Sequence, residues 1–382
     1  MSGVQPYRKV IALPARARIL VIALRRLGDV LLTTPLIRSL KRSFPQAAID
    51  ALVFAGTEGI LAGNPDLARV ITTEPGNGAG LALLRTLWRQ YDLALSTQAG
   101  DRPIWLAWIA GRTSGGPVRP GGGMAKLKRM ALDYPVAIEE ARHRVEEVLE
   151  LATALDIPSV RQLVCPAGPL RNELLPQGDY AVVHAGPMFR YKRWNADGWR
   201  ALAIALGERG LAVFTTGGPG ADDRRYCDEV WSAGVVGKSV ARQLEGVLTW
   251  PELAHAIAAA TIYVGPDTSV THLAAATGAA TVALYGPTDP RRFGPWPSAG
   301  LCRPWDAAGT IQRRGNVWLV QNPLPCLPCQ NEGCDRHIDS HSRCLDELSP
   351  RQVLAAVDQA LGSAGTPSER SGWRGLPNTG KE

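Results

Sequence analysis

The chain has 382 residues, 45% of them hydrophobic and 20% charged, with a net charge of +7. That length exceeds one typical core, so two domains of a globular protein are expected. No apolar run approaches the ~20 residues of a membrane span, and the start MSGVQPYRKVIALPARARIL lacks a signal peptide's apolar core and cleavage site.

A cytoplasmic protein with anionic partners is therefore expected. Along the chain, ILVIAL (Ile19–Leu24) reads as a continuous apolar strand and GDVLLTTPLIRSLKRSF as a helix. IDALVF, a short helical piece, ARVITT, the helix GLALLRTLWRQ and DLALST follow. Strands without polar alternation, separated by helices, predict a parallel sheet covered on both faces. Between Gly111 and Leu132 stand Arg112, Arg119, Lys126, Lys128 and Arg129 and no acidic residue. This glycine-rich stretch, TSGGPVRPGGGMAK, reads as a mobile basic loop: either a solvated insertion or a clamp for a phosphorylated or membrane-embedded acceptor. Nucleic acid is disfavoured as a partner, because no basic helix or interleaved aromatic platform accompanies the charges.

The helix AIEEARHRVEEVLELATAL closes the first half, and a connector punctuated by Pro158, Pro166, Pro169 and Pro176 reads as an interdomain linker. The second half repeats the grammar: YAVVHAG, NADGWRALAIALGERG, LAVFTTGG, ADDRRYCDEVW, TWPELAHAIAAA, TIYVG and TVALYG, then a final helix over roughly Ser349 to Leu361. An acceptor-binding domain over 1–175, a nucleotide-binding domain over 176–362 and a tail of disordered composition over 363–382 are expected. Two Rossmann-like domains would hold a ligand at the carboxyl ends of their strands.

The first βα turn carries Gly28-Asp29. Asp29 can serve as a helix N-cap or as a carboxylate that takes a proton from a hydroxyl. Neither LRRLGDV nor GGPGAD carries the three glycines of a dinucleotide fingerprint, so hydride chemistry is disfavoured. Lys192 and Arg193 precede a helix and are either surface charges or diphosphate contacts. In YVGPDTSVTHLAAATG, a strand runs into a helix that Thr268 or Ser269 can cap, and its first-turn amides suit a phosphate. The chain contains no Asp-x-Asp, so a diphosphate leaving group would have to be neutralised by Lys, Arg and helix N-termini.

LGDVLLTTPLIRSL, HAGPMFRYKRWNADGWRAL, GGPGADD and VGPDTSVTHLAAATGAATVALYGPTDP together resemble glycosyltransferase family 9, the ADP-heptose:lipopolysaccharide heptosyltransferases. The resemblance covers most of residues 18 to 360. It implies a GT-B fold of two Rossmann-like domains facing across a cleft, an inverting mechanism and no cofactor for catalysis. It implies Asp29 as base, with Lys192 facing the donor's phosphate and sugar. Asp222, with Asp223 as competitor, would meet the ribose, Leu248 the adenine, and Asp267, Thr268, Ser269 and His272 would form the rest of the donor site. Ser269 replaces the family's usual glycine, and Gly186-Pro187-Met188 replaces hydroxyl residues. The implied partners are ADP-heptose and an anionic lipopolysaccharide-core acceptor, with the protein peripheral at the inner face of the inner membrane. A protein acceptor, another nucleotide sugar, or a non-catalytic sugar-nucleotide binder are the competing readings.

Four of the seven cysteines, Cys326, Cys329, Cys334 and Cys344, are spaced C-x2-C-x4-C-x9-C. In a reducing compartment this spacing suits a structural metal knuckle such as zinc, with His337 or His341 as substitute ligands, or unmetallated thiols; the family resemblance implies iron as the alternative metal. Catalysis by these thiols is not expected, because glycosyl transfer needs no thiolate.

Overall fold

A computed structural model describes residues 10–76, 80–138, 142–218, 220–232 and 240–363. The chain divides into two compact units, Met1–Gly168 and Pro169–Glu382. The first unit opens with β1 (Arg18–Ala23). Its Ile19 and Val21 pack with Leu36, Ile37 and Leu40 on one face, while Leu20 and Ile22 pack with Leu87, Leu106 and Ala107 on the other. A strand buried on both faces has no place for alternating polar residues, which is why this run is continuously apolar.

The single helix expected after β1 is two helices, α1 (Leu27–Leu31) and α2 (Thr34–Ser43). Pro35 is the cause: its ring has no N–H and would clash with the carbonyl four residues back, so the helix restarts with proline in its first turn. There follow β2 (Ala48–Phe54), β3 (Arg69–Thr73), α3 (Leu81–Leu87), β4 (Tyr91–Ser96), α4 (Asp101–Ala110), β5 (Gly111–Val118), α5 (Gly122–Ala131), β6 (Tyr134–Ala137) and α6 (Arg144–Ala154). The strands pair in the order β3-β2-β1-β4-β5-β6, all parallel. The chain winds outward in both directions from β1 and β4, so the point where strand order reverses lies at their carboxyl ends.

Two further expectations are corrected in this unit. The segment from Gly111 to Leu132 is no mobile loop but the strand β5 followed by the helix α5. The glycines of β5 serve close packing rather than flexibility: a Cβ on Gly116 would stand 2.6 Å from Ile104 Cδ1, and one on Gly115 2.9 Å from Leu95 Cδ2. The helix expected from Ala137 begins only at Arg144, and Ala137 itself ends β6. Residues 139–141 of that stretch lie outside the described residues.

The second unit contains β7 (Tyr180–Gly186), α7 (Ala196–Glu208), β8 (Ala212–Gly217), α8 (Ala221–Val230), β9 (Val240–Gln243), α9 (Trp250–Ala259), β10 (Ile262–Pro266) and α10 (Ser269–Thr277). After them come β11 (Thr281–Leu284), α11 (Pro290–Phe293), β12 (Ile311–Arg314), β13 (Val317–Val320), α12 (Arg343–Asp346) and α13 (Pro350–Ser363). The strand order is β12-β13-β11-β10-β7-β8-β9, parallel except for the β12–β13 hairpin at one edge. Here the order reverses between β7 and β10. Ser363 belongs to the last helix, and the remainder of the tail expected to be disordered lies outside the described residues.

The prolyl connector is tied down from both sides. Ala167 N donates to the Ala62 carbonyl at 2.9 Å within the first unit. Arg171 holds the buried Glu252 of the second unit through Nε and Nη2, each at 2.6 Å.

Candidate active site

In the first unit the chemistry gathers where the sheet order reverses. Asp29 lies in the first turn of α1, directly after β1. The N-cap position of α1 is Arg26, so Asp29 is not a cap. Its side chain is 15% exposed, and Arg144 Nε stands 3.3 Å from Oδ1. Arg144 opens α6, whose N-cap His143 accepts a hydrogen bond from Val145 N through Nδ1. The guanidinium is fixed by donating to Glu147 Oε1 at 2.9 Å and to the carbonyl of Thr97, just past β4, at 2.7 Å. Asp29 Oδ1 faces this cation at ion-pair distance but outside hydrogen-bond geometry. The result is a nearly buried carboxylate with a fixed counter-charge, suited to accepting a proton from a hydroxyl brought to its exposed side.

In the second unit the loops after β7, β10 and β11 meet on one carboxylate. Lys192 closes a short 3₁₀ turn, Arg190–Lys192, after β7. Its Nζ donates to Asp267 Oδ2 at 2.6 Å. Thr288 Oγ1, from the loop after β11, donates to the same oxygen at 2.5 Å. Asp267 follows β10 directly, and its side chain is only 8% exposed. Burial would push this carboxyl up, but the charges of Lys192 and His272 and the Lys192 and Thr288 hydrogen bonds outweigh it. The group is held below the ordinary aspartate range.

Thr268 is the N-cap of α10, its Oγ1 accepting from Thr271 N at 3.4 Å. Ser269 is the first residue of the helix, and His272 sits buried one turn in. The amides of the first turn have no carbonyl of their own helix to bond, so they present partial positive charge beside Lys192. Beneath them the turn is rigid: Thr271 Oγ1 donates to the Pro266 carbonyl and meets the Tyr263 hydroxyl at 2.9 Å. Gly265 is required there, because a Cβ at that position would run into the Tyr263 hydroxyl.

The other expected residues fall as follows. Asp222 is 83% exposed on the first turn of α8 and pairs with Arg225 at 3.2 Å. Its neighbour Asp223 turns inward toward Gly218; burial raises its carboxyl pKa, with Arg193 opposing and Asp222 reinforcing. Arg193 itself lies over the Tyr226 ring at 4.4 Å. Leu248 is half-buried immediately before Thr249, which caps α9 in a reciprocal capping box with Glu252. Arg112, Arg119, Lys126 and Arg129 are exposed. Lys128 is not: it is buried, with Nζ 2.5 Å from Asp101 Oδ1 and 3.0 Å from the Ala99 carbonyl. Lys128 therefore drops out of the exposed basic set expected in this segment.

The expected metal knuckle is not supported. Among the described residues no group of three or more His, Cys, Asp or Glu side chains is placed to hold a metal ion. Cys326 and Cys334 are exposed and Cys329 half-buried, whereas Cys344 is a member of the second unit's apolar core. Burial, with Cys329, Cys334 and Cys326 nearby, pushes the Cys344 thiol up to about 12. His337 and His341 face Asp339 and Asp335 at 3.6 and 3.7 Å.

Arg144 and Thr288 escaped the sequence reading as site residues. Thr288 could have been found from GPTDP following the strand TVAL, since a parallel neighbour of β10 must end at the same edge. Nothing local marks Arg144.

The profile of a family described as glycosyltransferase family 9 (heptosyltransferase) matches residues 81–303, a range that holds Lys192, Asp267 and His272 but not Asp29. The chain is 30% identical over 387 residues to lipopolysaccharide heptosyltransferase 1 of Pseudomonas aeruginosa, covering 90% of this chain and 98% of that one. It is 27% identical over 361 residues to lipopolysaccharide heptosyltransferase 3 of Escherichia coli K12, again covering 90% and 98%. Its fold is similar to the solved ADP-heptose lps heptosyltransferase II of E. coli, with a TM-score of 0.68 at 22% identity over 90% of this chain and 98% of that one.

Proposed function

This chain belongs to glycosyltransferase family 9, the heptosyltransferases, and from that premise we propose that it moves a heptose from ADP-heptose to an acceptor in the lipopolysaccharide core. One observation carries the reading: the Lys192 ammonium is clamped on a buried aspartate beside the first turn of α10, where the sheet order of the second unit reverses. That is a fixed cation next to helix amides at the place where an α/β sheet binds its ligand.

In this mechanism Asp29 takes the proton of an acceptor hydroxyl, and that oxygen attacks the anomeric carbon from the face opposite ADP, inverting it. The C–O bond to the diphosphate breaks, and the electron pair leaves on ADP. Lys192 and the amides of Ser269 and Val270 stabilise the charge that develops there, while Asp267 and Thr288 hold Lys192 in position. Metal ions are dispensable in this reading because these groups supply the positive charge and the chain has no Asp-x-Asp. In this reading Asp222 bonds the ribose, Leu248 borders the adenine, and Thr268 and His272 complete the donor site. Arg112, Arg119, Lys126 and Arg129 meet the anionic acceptor, whose lipid anchor makes the enzyme peripheral at the inner face of the inner membrane.

The test is turnover of a panel of nucleotide sugars with lipopolysaccharide-core and protein acceptors. ADP-heptose with a core acceptor should be the productive pair. Turnover confined to another donor or to protein acceptors would overturn the assignment. In calorimetry, Lys192→Ala should weaken ADP more than adenosine, since only ADP carries the diphosphate; equal losses would remove Lys192 from the phosphate site.

A further inference from the structure

We propose that α5 is a membrane-docking helix, whose outward ridge of Met124, Leu127 and Met130 inserts into the interfacial layer of an anionic phospholipid bilayer. The inference rests on the reading of a lipid-anchored acceptor, and it adds the surface and the physical mode of attachment.

The helix is inside out by the usual rule of amphipathic packing. Of its two lysines Lys126 is exposed and Lys128 is buried against Asp101, while Met124, Leu127 and Met130 are 52%, 49% and 75% exposed. At about 100° per residue these three side chains fall within roughly 120° of one another. The opposite face is already occupied: Ala125 and the following Leu132 pack with Ile104 and Val118. The exposed ridge is therefore no leftover of a helix seeking a core, because the inward face is satisfied without it.

The flank of the ridge says what would cover it. At the same spacing the exposed Lys126 falls about 40° beyond Met130 and the exposed Arg129 about 100° beyond it, both on the same side of the ridge, and the exposed Arg119 precedes the helix. No acidic residue occurs from Gly111 to Leu132. Flexible unbranched or γ-branched tails beside long cations suit a headgroup layer, where the tails sink below the phosphates and the ammonium and guanidinium groups extend to them. A segment of one charge sign also selects an anionic leaflet over a zwitterionic one. The two contributions differ in one measurable respect. Attraction between exposed charges fades as the screening length falls to about 8 Å at physiological salt, whereas apolar insertion does not.

Co-sedimentation of the full chain with vesicles of phosphatidylglycerol and phosphatidylethanolamine, against phosphatidylcholine alone, tests this across a salt series. The wild type should bind the anionic vesicles and retain a salt-resistant fraction. Met124→Ser, Leu127→Ser and Met130→Ser combined should abolish that fraction and weaken binding by on the order of tenfold or more. Lys126→Gln with Arg129→Gln should instead abolish the preference for anionic lipid. The triple variant should keep wild-type transfer to a delipidated core oligosaccharide, which separates this inference from the proposed activity. An enzyme inactive with ADP-heptose that still binds vesicles through the ridge would overturn the activity and leave the docking intact. Vesicle binding unchanged in the triple variant, or no binding by the wild type, overturns the docking. Loss of self-association by the triple variant, without any effect on vesicles, would assign the ridge to a second copy of the chain.

Discussion

Replacing Lys192 with Gln separates two roles that one lysine could play. The Lys192 ammonium sits 2.6 Å from Asp267 Oδ2, with the two side chains 19% and 8% exposed. Deleting one partner of such a pair leaves an uncompensated buried charge, at a cost of about 3–5 kcal/mol. Thr288 still donates to Asp267 in the variant, so the lower end, ~3 kcal/mol, is expected. For a domain of this size that corresponds to a fall in melting temperature of roughly 6–12 °C. Adding Asp267→Asn removes the stranded charge, and most of the lost stability should return. Transfer should not return, because the donor facing the developing charge on ADP is still missing, at an expected loss of about 10²–10³-fold in rate. Melting curves and initial rates on the two single variants and the double variant complete the cycle. A double variant that recovers both stability and turnover would reduce Lys192 to a structural partner of Asp267. The pair also sets a pH dependence. Asp267 is held below its ordinary range, so its contribution is present above the unfolded-state value and is lost as pH falls through the depressed one. The Asp267→Asn protein should show a shallower loss of stability on acidification, read from denaturant midpoints across acid pH.

Asp29→Asn should lower the transfer rate by about 10²–10⁴-fold while leaving ADP affinity unchanged by calorimetry, as expected for a lost general base. Turnover within a few-fold of wild type would deny it that role. Arg144→Gln should destabilise the first unit by about 3 kcal/mol or more, since it strands the nearly buried carboxylates of Asp29 and Glu147 together. A change in unfolding free energy below the error of the fit would mean solvent already compensates them. Gly116→Ala should cost about 1–3 kcal/mol by overpacking, because the new methyl group would meet Ile104 and Ser96; a neutral effect would show that this part of β5 yields.

Much of this protein was legible in its sequence because the information is local. The continuous apolar runs of β1 and β7 announced strands buried on both faces, and Pro158 to Pro176 marked the region where the chain passes between units. An N-cap at Thr268 or Ser269 was recognisable from the strand before and the helix after, and the structure makes it Thr268. What only the tertiary structure decided depends on which distant segments become neighbours. Parallel strands adjacent in a sheet are separated along the chain by whole crossovers, so Lys192, Asp267 and Thr288 converge only once β7, β10 and β11 lie side by side. The same holds for Arg144 and Asp29, joined through the ends of β1 and β4 and the start of α6. Burial is equally non-local. Composition read the glycines of β5 as freedom, where Ala94 beside Gly111, Leu95 and Tyr134 beside Gly115 and Ile104 beside Gly116 leave little room for a side chain. A charge count cannot tell that Lys128 turns inward to Asp101 while Met124, Leu127 and Met130 turn out, because that choice belongs to the surface against which α5 packs.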